Sequence, residues 1–348
     1  MMDLSLIWQD YGLDKLEEGI ARLFPERTLN LEGLFAQVME GDIPGAIAGL
    51  FRGGIADIEG QLNGMRNIFV WLLVLGIVSA LTTRFVEIFD RQQVADMSFY
   101  FIYLLFTTVL LKCFAQAAET AGNVMENVVL FARLLVPVYL LSIGVSSGAV
   151  TAGASRQLML LAVYGVESVL SALILPLIYS FCMLSIVNGI WIEEKLDFLI
   201  AFLGKVIGWG LKGALGIVTG LGVFQRLIAP VVDSARNSSL QKLVSAIPGV
   251  GDAVGGVMEL VLGSAVVIRN SIGVVLLLLL LLLCVLPLVK IAVIALLLKL
   301  AAAFIGIISD RRLTACADRT GNACLLLLRA AGTAMLLFLI AIAVIGLK

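Results

Sequence analysis

Apolar residues fill this chain in long runs separated by short polar interruptions. The longest run, residues 271–308, holds eight consecutive leucines at 276–283 and meets charge only at Lys290 and Lys299. A bilayer core of about 30 Å is crossed by roughly 20 apolar residues in a helix. The run of 38 residues is therefore too long for one crossing and predicts two, turned near Pro287 and Lys290. The same reading places crossings at 67–83, 98–115, 128–148, 196–228 and 330–347. Residues 158–192, with Glu167 and Pro176 inside, fit either one long kinked helix or two short ones folded at Pro176. One bent crossing, with room for a re-entrant portion, is the favoured reading. The sum is an all-α, polytopic integral membrane protein of about eight transmembrane helices, with six to nine compatible with the pattern.

The polar stretches divide the chain. Residues 1–66 carry eleven acidic and five basic side chains and form a polar N-terminal head. Leu4, Ile7, Trp8 and Tyr11, then Leu13, Leu16, Ile20 and Leu23, fall at helical spacing. They predict short amphipathic helices broken around Pro25 and Pro44. Residues 67–348 form the transmembrane helical domain. Within it, residues 230–270 read as an amphipathic loop of two short helices split at Pro248 and Gly249, and residues 309–329 as a polar loop. With eight crossings and the N-terminus outside, the inner loops collect eleven Lys and Arg against two, Lys195 and Lys290, in the outer ones. Lysine and arginine gather on the cytoplasmic side, so the head is expected outside the cytoplasm. Its export calls for a cleaved leader ahead of the sequence.

Composition sharpens the class. Hydrophobic residues make up 61% and charged residues 14% of the chain, against about 25% charged in a soluble domain. The net charge of −1 gives no electrostatic case for nucleic acid. Histidine is absent, which removes the commonest general base and metal ligand. Cys113, Cys182, Cys284, Cys316 and Cys324 show no zinc or redox spacing and read as packing residues. The Gly249-Val250-Gly251 stretch has no strand before it and no Gly-Lys-Ser/Thr after it, so it is no phosphate loop. No catalytic residue, metal site or cofactor is expected, and an enzyme is the least favoured class.

Two features stand out against lipid. Gly204, Gly208, Gly216 and Gly220 form one row at helical spacing, with Lys212 in the missing place. Such a row lets backbones approach closely, either within the chain or at an oligomer seam or pore-side helix. Arg133, Glu167, Lys205, Lys212 and Lys299 lie inside apolar runs, where a charge is costly. They are candidates for internal ion pairs, Glu167 with Arg133 or a lysine, or for lining a hydrated path. Lys112, near a helix end, is expected to snorkel to the headgroups.

The order of parts resembles a known family. An acidic head, a polytopic body, the stretch SAIPGVGDAVGGVMELVLGSAVVIRNSIGV at 245–274, the leucine-rich block ending at Lys299 and Leu300, and the Asp310-Arg311-Arg312 turn occur together. This is similar to the stage III sporulation protein AE family of endospore-forming bacteria, over roughly residues 30–348. The resemblance implies a place in a secretion-like channel complex joining mother cell and forespore, in the mother-cell membrane surrounding the forespore. It implies a permease-like or channel-core role and, as partners, other proteins of the stage III sporulation A operon, among them ring-forming proteins and a secretion-type ATPase, and a forespore membrane protein. A homo-oligomer is compatible with it. A stand-alone secondary transporter of a small solute and a non-conducting membrane scaffold are the competing readings.

Overall fold

The computed structural model describes the backbone of residues 66–82, 92–146, 150–190, 195–244 and 251–346, with isolated stretches between 33 and 48. Side chains are described chiefly over 66–82, 97–130, 161–190, 195–223 and 284–341. Described residues outside turns and caps are helical. In chain order the helices are α1 (Arg66–Thr82), α2 (Gln92–Ser146), α3 (Val150–Val169), α4 (Leu175–Asn188), α5 (Asp197–Val244), α6 (Gly251–Ile308) and α7 (Arg311–Gly346). Among the described residues, five segments are long and apolar enough to cross a membrane: Met97–Leu130, Leu161–Asn188, Asp197–Val223, Cys284–Ile308 and Arg311–Ala341. The shorter α1 is also apolar.

Three predicted boundaries are corrected. The crossings expected at 98–115 and 128–148 belong to one uninterrupted helix, α2. The loop inferred between them, rich in Gln, Glu and Asn, has no helix breaker beyond Gly122. In lipid, backbone groups without an internal partner have no water to turn to, so a helix continues unless something stops it. The Met97–Leu130 span is about 51 Å long at 1.5 Å per residue, beyond the hydrocarbon thickness, and must tilt or project. The leucine-rich block is likewise no hairpin. α6 runs straight through Pro287; one missing N–H is a smaller loss than a turn with several unbonded groups. Lastly, the loop expected at 309–329 is the first half of α7. The chain reverses at Ser309 and Asp310 alone, where Asp310 Oδ1 accepts the Arg312 N–H at 3.0 Å and so caps α7. The 230–270 segment is helical at both its ends, extending α5 to Val244 and starting α6 at Gly251; its expected break at Pro248 and Gly249 lies outside the described residues.

These corrections change the charge count. α5 runs away from the end of the bundle that holds the α6–α7 turn, and α6 returns to it. Arg226, Arg236, Lys242 and Arg269 therefore no longer share a side with Arg311 and Arg312, and the eleven-to-two imbalance dissolves.

The stretch expected at 158–192 is one span, Leu161–Asn188. α3 passes into a π-helical turn, Leu170–Ile174, and then into α4, whose first turn holds Pro176. The wider turn accommodates the ring where a regular α-helix would clash. In the head, the break anticipated near Pro44 falls at Gly41. There φ is +85°, and the Gly41 and Asp42 N–H groups bond back to Val38 and Gln37 carbonyls at 3.1 and 2.9 Å. Glycine tolerates this left-handed stop. Asp42 then caps the next turn by accepting the Gly45 N–H at 3.0 Å. The rest of the head, with the break expected at Pro25, lies outside the described residues.

α7 is the axis of the bundle. It packs against α6, α2, α4 and α5, and 61% of its most apolar 18-residue stretch is buried against 22% for that of α5. The α6–α7 seam is built from small residues: Ala295, Ala301 and Ala302 on α6, Ala317, Ala323, Ala330, Ala331 and Ala334 on α7. Without a hydrophobic drive between helices in lipid, close backbone approach supplies the dispersion energy. Several Ser and Thr hydroxyls in the spans serve their own helix instead. Thr108, Thr120, Ser185, Thr320 and Thr333 each donate to the carbonyl four residues back, at 2.6–2.8 Å. Enlarging the seam should be costly. Ala323→Leu, at a fully buried position, is expected to destabilise by about 1–3 kcal/mol and to lower the melting temperature in detergent. Leu336→Ala, on the lipid-facing side at 49% exposure, should leave it almost unchanged.

Candidate functional site

Polar side chains gather at the end of the bundle where α2, α5 and α7 begin and α4 and α6 finish. Asn188, closing α4, works in both directions: its Nδ2 donates to Asp197 Oδ1 at 2.8 Å and its Oδ1 accepts the Leu196 N–H at 2.9 Å. One side chain thus fixes the tight α4–α5 connection. Arg319 of α7 donates to the same Asp197 oxygen at 2.7 Å, tying the start of α5 to the axial helix. Asp197 is also the acidic first-turn residue that an N-terminus favours. Tyr103 of α2 donates to the Ile186 carbonyl at 2.6 Å, and Cys316 lies against its hydroxyl. Gly189 is required here, since a Cβ would overlap the Tyr103 hydroxyl. The Arg312 guanidinium sits 3.7 Å from the centre of the Phe99 ring and bonds Asp310 at 3.2 Å. Lys299 of α6 pairs with Asp318 of α7 at 2.5 Å, its stem lying over Gly321.

The other predicted residues are scattered. Gly204 faces α4, its Cβ position 3.5 Å from the Phe181 ring. Gly208, Gly216 and Gly220 have nothing within 4 Å of theirs. Among the described residues, only the first member of the glycine row meets another helix of the chain. α5 packs through Ile200, Ile207, Leu211, Ala214 and Val218 on its other face. Lys205 and Lys212 are exposed beside the free glycines, with no acid bonded to them. Glu167 is buried at 1% exposure, and neither carboxyl oxygen has a hydrogen-bond partner. The expected ion pair with a lysine does not form; the Arg133 side chain lies outside the described residues. Of the five charges singled out, Lys299 alone has its partner within the described bundle.

Two groups were missed. The Asn188–Asp197–Arg319 cluster joins residues 131 positions apart, which no local pattern reveals. The second was legible. Lys112, Gln116, Glu119, Asn123 and Glu126 repeat at i, i+4, i+7, i+11 and i+14, and all are exposed along one stripe of α2. Arg329 is exposed on α7. A charge held at mid-membrane costs about 3 kcal/mol on insertion scales, so Lys212, Arg329 and Glu119 on the outer surface of a single chain call for cover.

Residues 29–347 match the family model described as stage III sporulation protein AE. The chain is also similar to the stage III sporulation protein AE of Bacillus subtilis (strain 168), with 22% identity over 275 residues, covering 79% of this chain and 69% of that protein. No solved structure matches it.

The polar end supplies a direct check. Tyr103→Phe removes one buried hydrogen bond and should cost about 1 kcal/mol. Gly189→Ala should cost more, because its methyl meets the hydroxyl. Thermal unfolding of both variants and of the pair should show that Tyr103→Phe relieves part of the Gly189→Ala cost. Strictly additive losses would contradict the contact.

Proposed function

Because the chain belongs to the stage III sporulation protein AE family, we propose that it is a membrane-embedded component of a sporulation channel complex, acting by assembly rather than by catalysis. Its place is the mother-cell membrane surrounding the forespore, and its role is permease-like or that of a channel core. Its partners are other proteins of the stage III sporulation A operon, including ring-forming proteins and a secretion-type ATPase, and a forespore membrane protein. Family membership carries this reading, and the outer face of α5 supports it. A helix bearing Lys205, Lys212 and three glycines with open space before them is poorly matched to lipid and well matched to a neighbouring helix. The inward-packed axis formed by α7 keeps that face fixed in direction.

The experiment is a double substitution, Gly208→Leu with Gly216→Leu, in sporulating cells. Side chains there fill the approach space without touching the chain's own core. The expected result is wild-type amounts of protein in the membrane with spore yield reduced by at least a hundredfold. A normal spore yield would count against assembly through this face.

A further inference from the structure

The unsatisfied charges on the outside of the bundle are of opposite sign on different helices, and they share a depth. α4 serves as a ruler. Phe114 of α2 stacks edge-on to Tyr179 at 5.9 Å, and Gly204 of α5 faces Phe181. Residue 114 is therefore level with about residue 206, and Glu119 is level with Lys212 to within about one helical turn, or 5.4 Å. The Tyr103–Cys316 contact places Arg329 of α7 within about a helical turn of the same level. Both helices run in the same direction from the polar end. Glu119 belongs to the exposed α2 stripe, Lys212 to the exposed α5 face, and both α2 and α5 pack on α7 with no extensive contact between them among the described residues.

We propose that a second copy of this chain covers these charges, α2 of one copy docking on α5 of the next, with Glu119 against Lys212 as the central ion pair. The occupant follows from charge and symmetry. An isologous pair through α5 sets Lys212 on Lys212, and one through α2 sets Glu119 on Glu119, so a symmetric dimer through either face is repulsive. A head-to-tail contact matches opposite charges at one depth and repeats, closing into a ring or extending as an array. Gly208 and Gly216 on the α5 side, and Ala115 on the α2 side, let the two backbones come close. Lys112 and Lys205 also share a level, nearer the polar end. Their long stems lean toward the helix N-termini, which lie at that end, and let the two ammonium groups part in that direction. The structure places Lys112 at the middle of the Met97–Leu130 span and not near a helix end as its sequence suggested. This deepens the assembly reading above and rests on it for the exposed α5 face.

Cysteine cross-linking of the full chain in membranes of a host that forms no spores tests it. Ala115 and Gly208 are level by the same ruler. A chain carrying both Ala115→Cys and Gly208→Cys should give a ladder of multimers under mild oxidation. Chains with one of these changes should give none alone, and dimers only when the two are co-expressed. Glu119→Lys or Lys212→Glu should each reduce the ladder at least tenfold, and the two together should restore it. Absence of the ladder in the unreversed chain, dimers from Ala115→Cys alone, or a double reversal as weak as the single ones would overturn the proposal. In each of those cases the spore phenotype of the glycine variants still stands, so loss of self-association is distinguishable from loss of the assembly reading.

Discussion

In hydrocarbon, an unbonded backbone group or a bare charge has nowhere to turn, and this constraint organises the whole chain. It explains why α2 and α6 run on through Gly122 and Pro287. It explains why hydroxyls in the spans bond to their own helix four residues back. It also sorts the charges. Those at the polar end, Asp197, Arg312, Arg319, Lys299 and Asp318, have acid or base partners in the chain. Those in the middle of the spans and on the outer surface, Lys212, Arg329 and Glu119, have none among the described residues.

The bundle separates stability from contact making. α7 is the most buried span and carries the small-residue seam with α6, while α5 is the least buried. A packed axis with a lightly held outer helix is the arrangement expected of a subunit that presents a fixed face to others. The polar end anchors that face through Asn188, Asp197 and Arg319, which lock the entry of α5 onto the axis. The α5 charges are thereby held at a set depth, and depth is what selects a partner in a membrane.

The sequence disclosed lipid as the solvent, the helical class of the described residues and the local irregularity at Pro176, because hydropathy and proline act locally. It misled where a boundary depended on competition. The polar stretch around Gln116 to Glu126 looked like a loop because its composition is polar, yet its heptad spacing is that of one helical stripe, and periodicity outweighed composition. Pro287 looked like a turn because proline breaks soluble helices, a penalty that lipid sets against the larger cost of an open turn. The site was less legible still. Gly208, Gly216, Lys205 and Lys212 were identifiable as one face, but the side toward which that face turned depended on packing by Ile207, Leu211 and Val218. The anchor Asp197–Arg319 had no local signal at all.

A single crossing by α2 is what puts Glu119 and Glu126 in the membrane rather than in a loop. The most direct measurement is labelling of single cysteines at Gln92 and Ser146, the two ends of α2, in a chain with its five native cysteines replaced. A maleimide that does not cross membranes should reach one position from outside and the other only after the membrane is opened. Labelling of both from the same side would contradict it.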